Sequence, residues 1–346
     1  MEHQMKRNRF LRALRRSFMV VSGTVFMALF ALVGVVYVIL CGPSKSAQEL
    51  LTRSLKETSA VGFIPDLFLP AERVEEIMSA GTGEIEAAEV DTSLVTISAS
   101  RKESDGEEMD SKDGETSKGA NGVEFVEITG ASYRGILMIV EDPSRLFVGV
   151  PDTFGEKGLT LEAMIAKYDA AGGINGGGFY DPDGRGTGGT PDGIVITDGA
   201  LIWGEEGTMS TVVGFDKEGI LQAGYMSGRD ALDRKLQWAC SFGPVLVVNG
   251  ESVSKDNNLA SGVNPRTAIG QRADGAVLML AVDGRQITSL GATLEDIIGI
   301  MLEQGAVNAV NLDGGSSTQM IYNDETLNVN ASVRGPRALP TAFLVK

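Results

Sequence analysis

From Phe18 to Leu40 the chain runs twenty-three residues, FMVVSGTVFMALFALVGVVYVIL, without a charge. At about 1.5 Å per helical residue such a run covers the roughly 30 Å of a bilayer's hydrocarbon, so the first expectation is one membrane-spanning helix over residues 18–40. Lys6, Arg7, Arg9, Arg12, Arg15 and Arg16 precede it, against the single acidic Glu2. This basic excess predicts a single-pass cell-membrane protein, with residues 1–17 as a cytoplasmic tail and everything after the helix extracytoplasmic. A cleaved signal peptide has a shorter apolar stretch, about 7 to 15 residues, and a small-residue exit. This run is longer and leaves through Ile39-Leu40-Cys41. Leu40 is also bulky where lipoprotein cleavage sites have a small residue, which argues against lipidation of Cys41.

Charge and rare residues exclude whole classes of function. The 346 residues carry a net −16; the first sixteen hold six basic and one acidic residue, +5, so the remainder holds −21. Nucleic acid is therefore no expected partner, because its recognition relies on a basic footprint. With only Cys41 and Cys240, the fold cannot be a disulfide framework and must be held by its core. The single histidine, His3, lies ahead of the apolar run, which removes histidine triads and histidine zinc sites from the outer region. Acid–base chemistry there falls to Asp, Glu, Tyr, Lys or Cys240.

Beyond the Gly42-Pro43 break, Ser46 to Ala60 and Pro70 to Ser79 space apolar residues three and four apart, which predicts short amphipathic helices in a stalk over 41–80. Gly81 to Ala120 holds eleven acidic and four basic residues and no aromatic, so 81–121 reads as an acidic disordered linker. A domain is expected over 122–346. Strands are predicted at Val123–Gly130, Gly135–Val140, Arg145–Val150, Gly193–Thr197, Thr211–Phe215, Ile220–Tyr225, Pro244–Val248, Thr267–Gln271, Ala276–Val282, Val307–Leu312, Thr318–Tyr322 and Ala342–Val345. Two helices stand among them, one running from its N-cap Thr160 through Tyr168 with Gly172-Gly173 as the stop signal, the other Thr293–Gln304 with Thr293 as N-cap and Gly305 as the C-terminal glycine. Many strands with few helices, outside any regular alternation, predict an α+β fold around a mixed sheet.

Three clusters could carry chemistry. AGGINGGGFYDPDGRGTGGTPDG, Ala171 to Gly193, is dense in positions lacking Cβ, where backbone N–H groups can approach a ligand; a plain long hairpin is the competing reading. No Gly-Lys-Ser/Thr follows, so it is no nucleotide loop. VNLDGGSSTQM, Val310 to Met320, puts Asp313 at a strand's carboxyl end, ahead of Ser316, Ser317 and Thr318; an Asp-Gly hairpin turn is the alternative. NPRTAIG, Asn264 to Gly270, and VDGR, Val282 to Arg285, supply arginines whose planar fork suits phosphate or carboxylate. The DPDG and TPDG loops offer hard oxygens that could hold Ca2+, but they lack the alternating acids and bidentate Glu of an EF-hand, so turn chemistry is preferred and no cofactor or metal is expected.

In order and spacing, INGGGFYDPDG, SFGPVLVVNG, NPRTAIG, VDGR, TLEDIIGIMLEQGA and AVNLDGGSST resemble the phosphodiester glycosidase family over roughly Gly122 to Lys346. That family includes the lysosomal uncovering enzyme and bacterial proteins labelled exopolysaccharide biosynthesis proteins. By motif, the resemblance implies site residues at Asn175, Gly176 and Gly177, at Arg266, at Asp283 and Arg285, and at Asp313, Gly314, Gly315 and Ser316. The chain reads NGGGFYD where NGGFF is commoner and DGGSS where DGGGSS is commoner, a difference of one residue in each loop.

The resemblance implies hydrolysis between a sugar's anomeric carbon and a phosphate oxygen, through an oxocarbenium-like state normally assisted by two carboxyl groups. The site must supply a carboxylate at that carbon and fixed donors for the departing phosphate. Asp313 is the expected base or nucleophile, Arg266 the phosphate holder and Asp283 the leading second carboxylate, with Asp181 behind it. The backbone from Asn175 to Gly178 is expected to complete the cradle, with Arg285, Gly314, Gly315, Ser316 and Ser317 also against the substrate. The expected partner is a phosphodiester-linked glycan, whether a teichoic-acid-like polymer, a capsular phosphodiester or a lipid-linked sugar; oligomeric state is open. A non-catalytic glycan-binding or scaffold domain is the competing class. Whether Asp313 and Arg266 share one pocket discriminates the two.

Overall fold

The computed structural model describes residues 2–58, 60–80, 89–97, 116–118, 122–255, 259–332 and 334–346. Most of the predicted linker, residues 81–88, 98–115 and 119–121, lies outside them. Helix α1 (Glu2–Cys41) contains the apolar run, and its Leu14–Cys41 portion reaches a mean hydropathy of 2.7. Among the described residues it is the one helix long and apolar enough to cross a membrane.

The segment expected as a stalk, residues 41–80, packs on the domain. Ser44 caps α2 (Lys45–Lys56) by accepting from Ala47 N, and α3 (Ala71–Ser79) follows a short turn. Leu40, at the end of α1, is fully buried with Leu69, Val74 and Ile77. On the other face of α2, the buried Arg53 donates to Ala260 O (3.4 Å) and Ala80 O (2.7 Å), and Ser54 Oγ accepts from Val263 N (2.8 Å). Gly262 is needed for this closeness: a Cβ there would stand 2.4 Å from Ser54 N. Within the segment read as linker, residues 89–97 also rest on the domain, with Thr96 N donating to Ala273 O (2.8 Å) and Val90 and Val95 buried.

The domain is of the expected α+β class, built from three sheets. The first has eight strands in the order Thr116–Lys118, Val123–Thr129, Arg134–Val140, Val277–Val282, Arg266–Arg272, Ala306–Leu312, Val245–Val248 and Glu251–Ser252. The second runs Ala200–Trp203, Val195–Thr197, Leu236–Ser241, Met209–Asp216, Leu221–Ser227; the third runs Glu325–Thr326, Met320–Tyr322, Gly172–Asn175, Ala342–Val345, Leu146–Gly149. Among the described residues every strand pairing is antiparallel where a mixed sheet was expected. The reason lies in one crossover. The helix after Val277–Val282 returns the chain to Ala306–Leu312 in the same direction, but Arg266–Arg272 is inserted between them and runs opposite to both. Edge-on aromatic pairs tie the sheets together: Phe125 with Tyr322, Phe147 with Trp238, and Phe215 with Phe343.

Local signals explain the helices. Thr160 Oγ1 accepts from Ala163 N to open α4 (Leu161–Tyr168), which ends at Tyr168 as expected, though its cap is a left-handed Asp169 (φ 51°) and not the glycine pair. Gly172 and Gly173 sit instead in the third sheet, where a Cβ would come within 2.4 Å of Ile321 O and 2.3 Å of Phe343 O respectively. Helix α5 (Gly228–Asp233), not foreseen, is nucleated by a Ser227–Asp230 capping box. Helix α6 (Leu294–Glu303) has the same device in Thr293 and Asp296 and ends before Gly305 at φ +81°.

Candidate active site

Asp313 is the first residue past the Ala306–Leu312 strand. Its main chain is clamped: Asn175 Nδ2 donates to Asp313 O (2.6 Å) and Asp313 N donates to Gly176 O (3.2 Å). The buried Asn175 Oδ1 in turn accepts from Thr267 Oγ1 (2.8 Å) and Gln319 N (3.1 Å), so one amide ties together three strand ends. Asp313 is half-buried and lines a cavity open to solvent. Desolvation of its carboxyl group pushes the pKa up to about 7, against the opposing hydrogen bonds of Ser317 and Gly314 N and the charge of Arg337, with Asp181 adding to the rise.

The cavity measures about 640 Å3. Asp313, Gly314, Gly315, Ser316 and Ser317 form one wall, and Arg266, Asn264 and Arg285 another. Arg266 opens its strand and donates through Nε to Ala292 O (3.2 Å) and through Nη2 to Gly262 O (2.7 Å) and Glu57 Oε2 (3.0 Å). Arg285 takes a left-handed conformation (φ 59°) at a loop tip and donates to Asn264 Oδ1 (3.1 Å) and Glu57 O (3.4 Å). A Cβ on Gly315 (φ +60°) would stand 3.3 Å from Arg285 Nη2, so the missing side chain lets the guanidinium lie against the Asp-Gly-Gly backbone. Burial lowers the pKa of both arginines; Arg266 lowers that of Arg285 further, and Glu57 opposes the fall at each.

Gly178, Phe179, Asp181 and Asp192 close the opposite side. Burial raises the pKa of Asp192. A Cβ on Gly178 would lie 2.9 Å from Asp192 Oδ2 and 2.8 Å from the Phe242 ring, so only glycine leaves Asp192 this place. Asp181 pairs with Arg337 (2.9 Å) and accepts from Gly186 N (2.5 Å). Arg337 also donates to Ser316 Oγ (3.1 Å) and lies over Phe179. Among the described residues no group of three or more His, Cys, Asp or Glu side chains is placed to hold a metal ion.

Of the residues foreseen from sequence, Asp313, Arg266, Arg285, Asp181, Gly178, Gly314, Gly315, Ser316 and Ser317 line this one cavity. Asn175, Gly176, Gly177 and Asp283 stand outside its lining. The expected cradle is spoken for: Gly176 N donates to Thr341 O, Gly177 N to Thr341 Oγ1 and Gly178 N to Ser241 O. Asp283 accepts from Val329 N (2.8 Å) and Asn328 Nδ2 (3.4 Å), which holds a neighbouring loop; burial raises its pKa and these two donors restrain the rise. Glu57, Asp192 and Arg337 were not foreseen. Asp192 had a signal in TPDG, read as a turn; Glu57 and Arg337 had none.

Residues 168–346, more than half of the chain, match the family model of the phosphodiester glycosidases. The chain belongs to the phosphodiester glycosidase family. Over 216 residues it is 26% identical to mouse N-acetylglucosamine-1-phosphodiester alpha-N-acetylglucosaminidase, spanning 56% of this chain and 41% of the relative. The human enzyme of that name is 26% identical over 181 residues, 47% of this chain and 34% of the relative. The chain thus spans less than half the length of these relatives. The catalytic domain of the zebrafish enzyme, solved auto-inhibited by pro-peptide, shares the fold with a TM-score of 0.54 and 24% identity, over 69% of this chain and 85% of that one. Every cavity residue named above except Glu57 falls within the family match.

Proposed function

We propose that the protein is a membrane-anchored extracytoplasmic hydrolase that cleaves the glycosidic bond of sugar-1-phosphodiesters, N-acetylglucosamine-1-phosphodiesters among them, in cell-envelope glycans. The observation that carries the reading is the meeting of Asp313 with Arg266 and Arg285 in one cavity. A carboxylate at the anomeric carbon facing two guanidinium groups is what separation of a sugar cation from a phosphate requires. The names of the mouse and human relatives agree with this bond type. The anchor is α1, with its basic leader on the cytoplasmic side.

Asp313 acts as base or nucleophile at the anomeric carbon. Ser317 and Gly314 N fix its orientation through hydrogen bonds. Arg266 and Arg285 hold the phosphate as its bond to the sugar lengthens, and the Arg285 fork, flat on Gly315, sets its plane. Asp192, with its pKa raised beside Gly178, takes the place of second carboxylate, with Asp181 held back by Arg337. The test is release of reducing sugar from a panel of sugar-1-phosphodiesters by the full chain in detergent. Turnover that disappears in a well-folded Asp313→Asn variant supports the assignment; turnover at the wild-type level in that variant overturns it.

A further inference from the structure

The anchor and the cavity are joined by packed structure. Leu40 and Tyr37, in the last turns of α1, rest respectively in the Leu69–Val74–Ile77 cluster and on the Phe68 ring. Gln48 Nε2 holds Leu40 O at 2.5 Å, and Cys41 Sγ reaches Phe68 O. From there α2, twelve residues or about 18 Å long, runs straight to Glu57 in the cavity wall. The loop bearing Phe68 is thereby pinned at the level where α1 ends, and there it presents Phe63 and Leu67, 59% and 69% exposed. Aromatic and aliphatic side chains displayed beside the end of an apolar helix fit the headgroup layer of a bilayer.

A second apolar group stands at the phosphate end of the cavity. Arg285 N bonds Leu290 O (3.0 Å) and closes a loop that exposes Ile287 fully and Leu290 by 58%. Gln286 Nε2 bonds Val329 O (3.2 Å), which sets the exposed Val329 beside this loop. These side chains lie outside the cavity lining, Ile287 and Leu290 next to Arg285 along the chain, where they offer an apolar surface to the group on the far side of a phosphate held by Arg285. Hydrocarbon suits such a surface; a hydrated glycan does not.

We propose that the cavity works at the bilayer surface on a sugar-1-phosphate joined through its phosphodiester to a membrane lipid, an inference that rests on the phosphodiester reading above and on α1 spanning the membrane. Water adds its hydroxyl to the anomeric carbon, the bond from that carbon to the phosphate oxygen breaks, and the proton goes to the phosphate, which leaves as the lipid phosphomonoester. The Ile287 loop receives the first methylenes of the lipid, while Phe63 and Leu67 hold the mouth at the surface from which it comes.

The test reconstitutes the full chain in phosphatidylcholine vesicles and compares methyl and hexadecyl diesters of N-acetylglucosamine-1-phosphate. The hexadecyl diester in the same vesicles is expected to show kcat/KM at least about tenfold above the methyl diester, as burial of a few methylenes implies. In separate vesicles it is expected to be spared. The Ile287→Ser/Leu290→Ser double variant should lose most of that preference while its rate on the methyl diester stays unchanged. Equal rates on the two diesters, or a preference the double variant keeps, would overturn the proposal alone. Absence of turnover on both diesters would overturn the glycosidase reading and this inference with it.

Discussion

Glu57 Oε2 lies 3.0 Å from Arg266 Nη2, joining residues 209 positions apart and bringing the end of α2 into the wall of the cavity that Asp313 lines. The same carboxylate accepts from Gly262 N (2.9 Å) and Asn264 Nδ2 (2.7 Å). With the side chains 11% and 28% exposed, solvent screens the pair only in part. Glu57→Ala therefore leaves a nearly buried guanidinium and two further donors without their carboxylate. Stability should fall by about 1–3 kcal/mol, less than for a fully buried pair. With Arg266 no longer fixed, KM for a sugar-1-phosphodiester should rise while Glu57→Gln keeps part of the binding. Thermal melting and initial rates check both. A gain in turnover would instead identify Glu57 as a stand-in for the phosphate.

The role of Glu57 is not encoded in its local sequence. The apolar run, the Thr160 and Thr293 caps and most strands are local signals, set by nearest neighbours and periodicity, and they were legible. Asp313 and Arg266 were legible as motifs. Glu57 looked like any polar residue at the end of an amphipathic helix, because its role depends on a contact 209 residues away. Arg337 similarly takes its meaning from Asp181 and Ser316. Asn175 was read as lining the site and proved to hold Asp313 from behind, since motif position does not say which way a side chain points.

The raised Asp313 predicts the pH dependence of rate. A base or nucleophile must be ionised, so kcat/KM should climb with pH through about 7 and level off above it. Asp313→Asn should remove that ascending limb along with most of the activity. A rate already level between pH 5 and 8 in the wild type would contradict the role.

The same burial carries a stability cost of opposite sign to that of a salt-bridged carboxylate. In the unfolded chain Asp313 titrates near its ordinary value of 3.8, and in the native state near 7. Its ionisation therefore penalises folding progressively as pH rises through that window, and the full penalty stands above it, at most roughly 4 kcal/mol. Asp313→Asn has no charge to desolvate. The variant should melt several degrees higher than the wild type at pH 8 and match it near pH 4. Melting curves across that range, on protein in the same detergent, give the difference directly.

Arg337 separates charge from geometry at this site. Its positive charge restrains the rise in the Asp313 pKa, and its fork bridges Asp181 and Ser316. Arg337→Ala removes both, so the ascending limb of kcat/KM should move to higher pH and the plateau should drop. Arg337→Lys keeps the charge but cannot span both partners with a planar fork. It should leave the limb near the wild-type pH while still lowering the plateau. Full pH profiles of the three proteins distinguish these effects, because a purely structural role for Arg337 would lower the plateau in both variants and leave the limb in place.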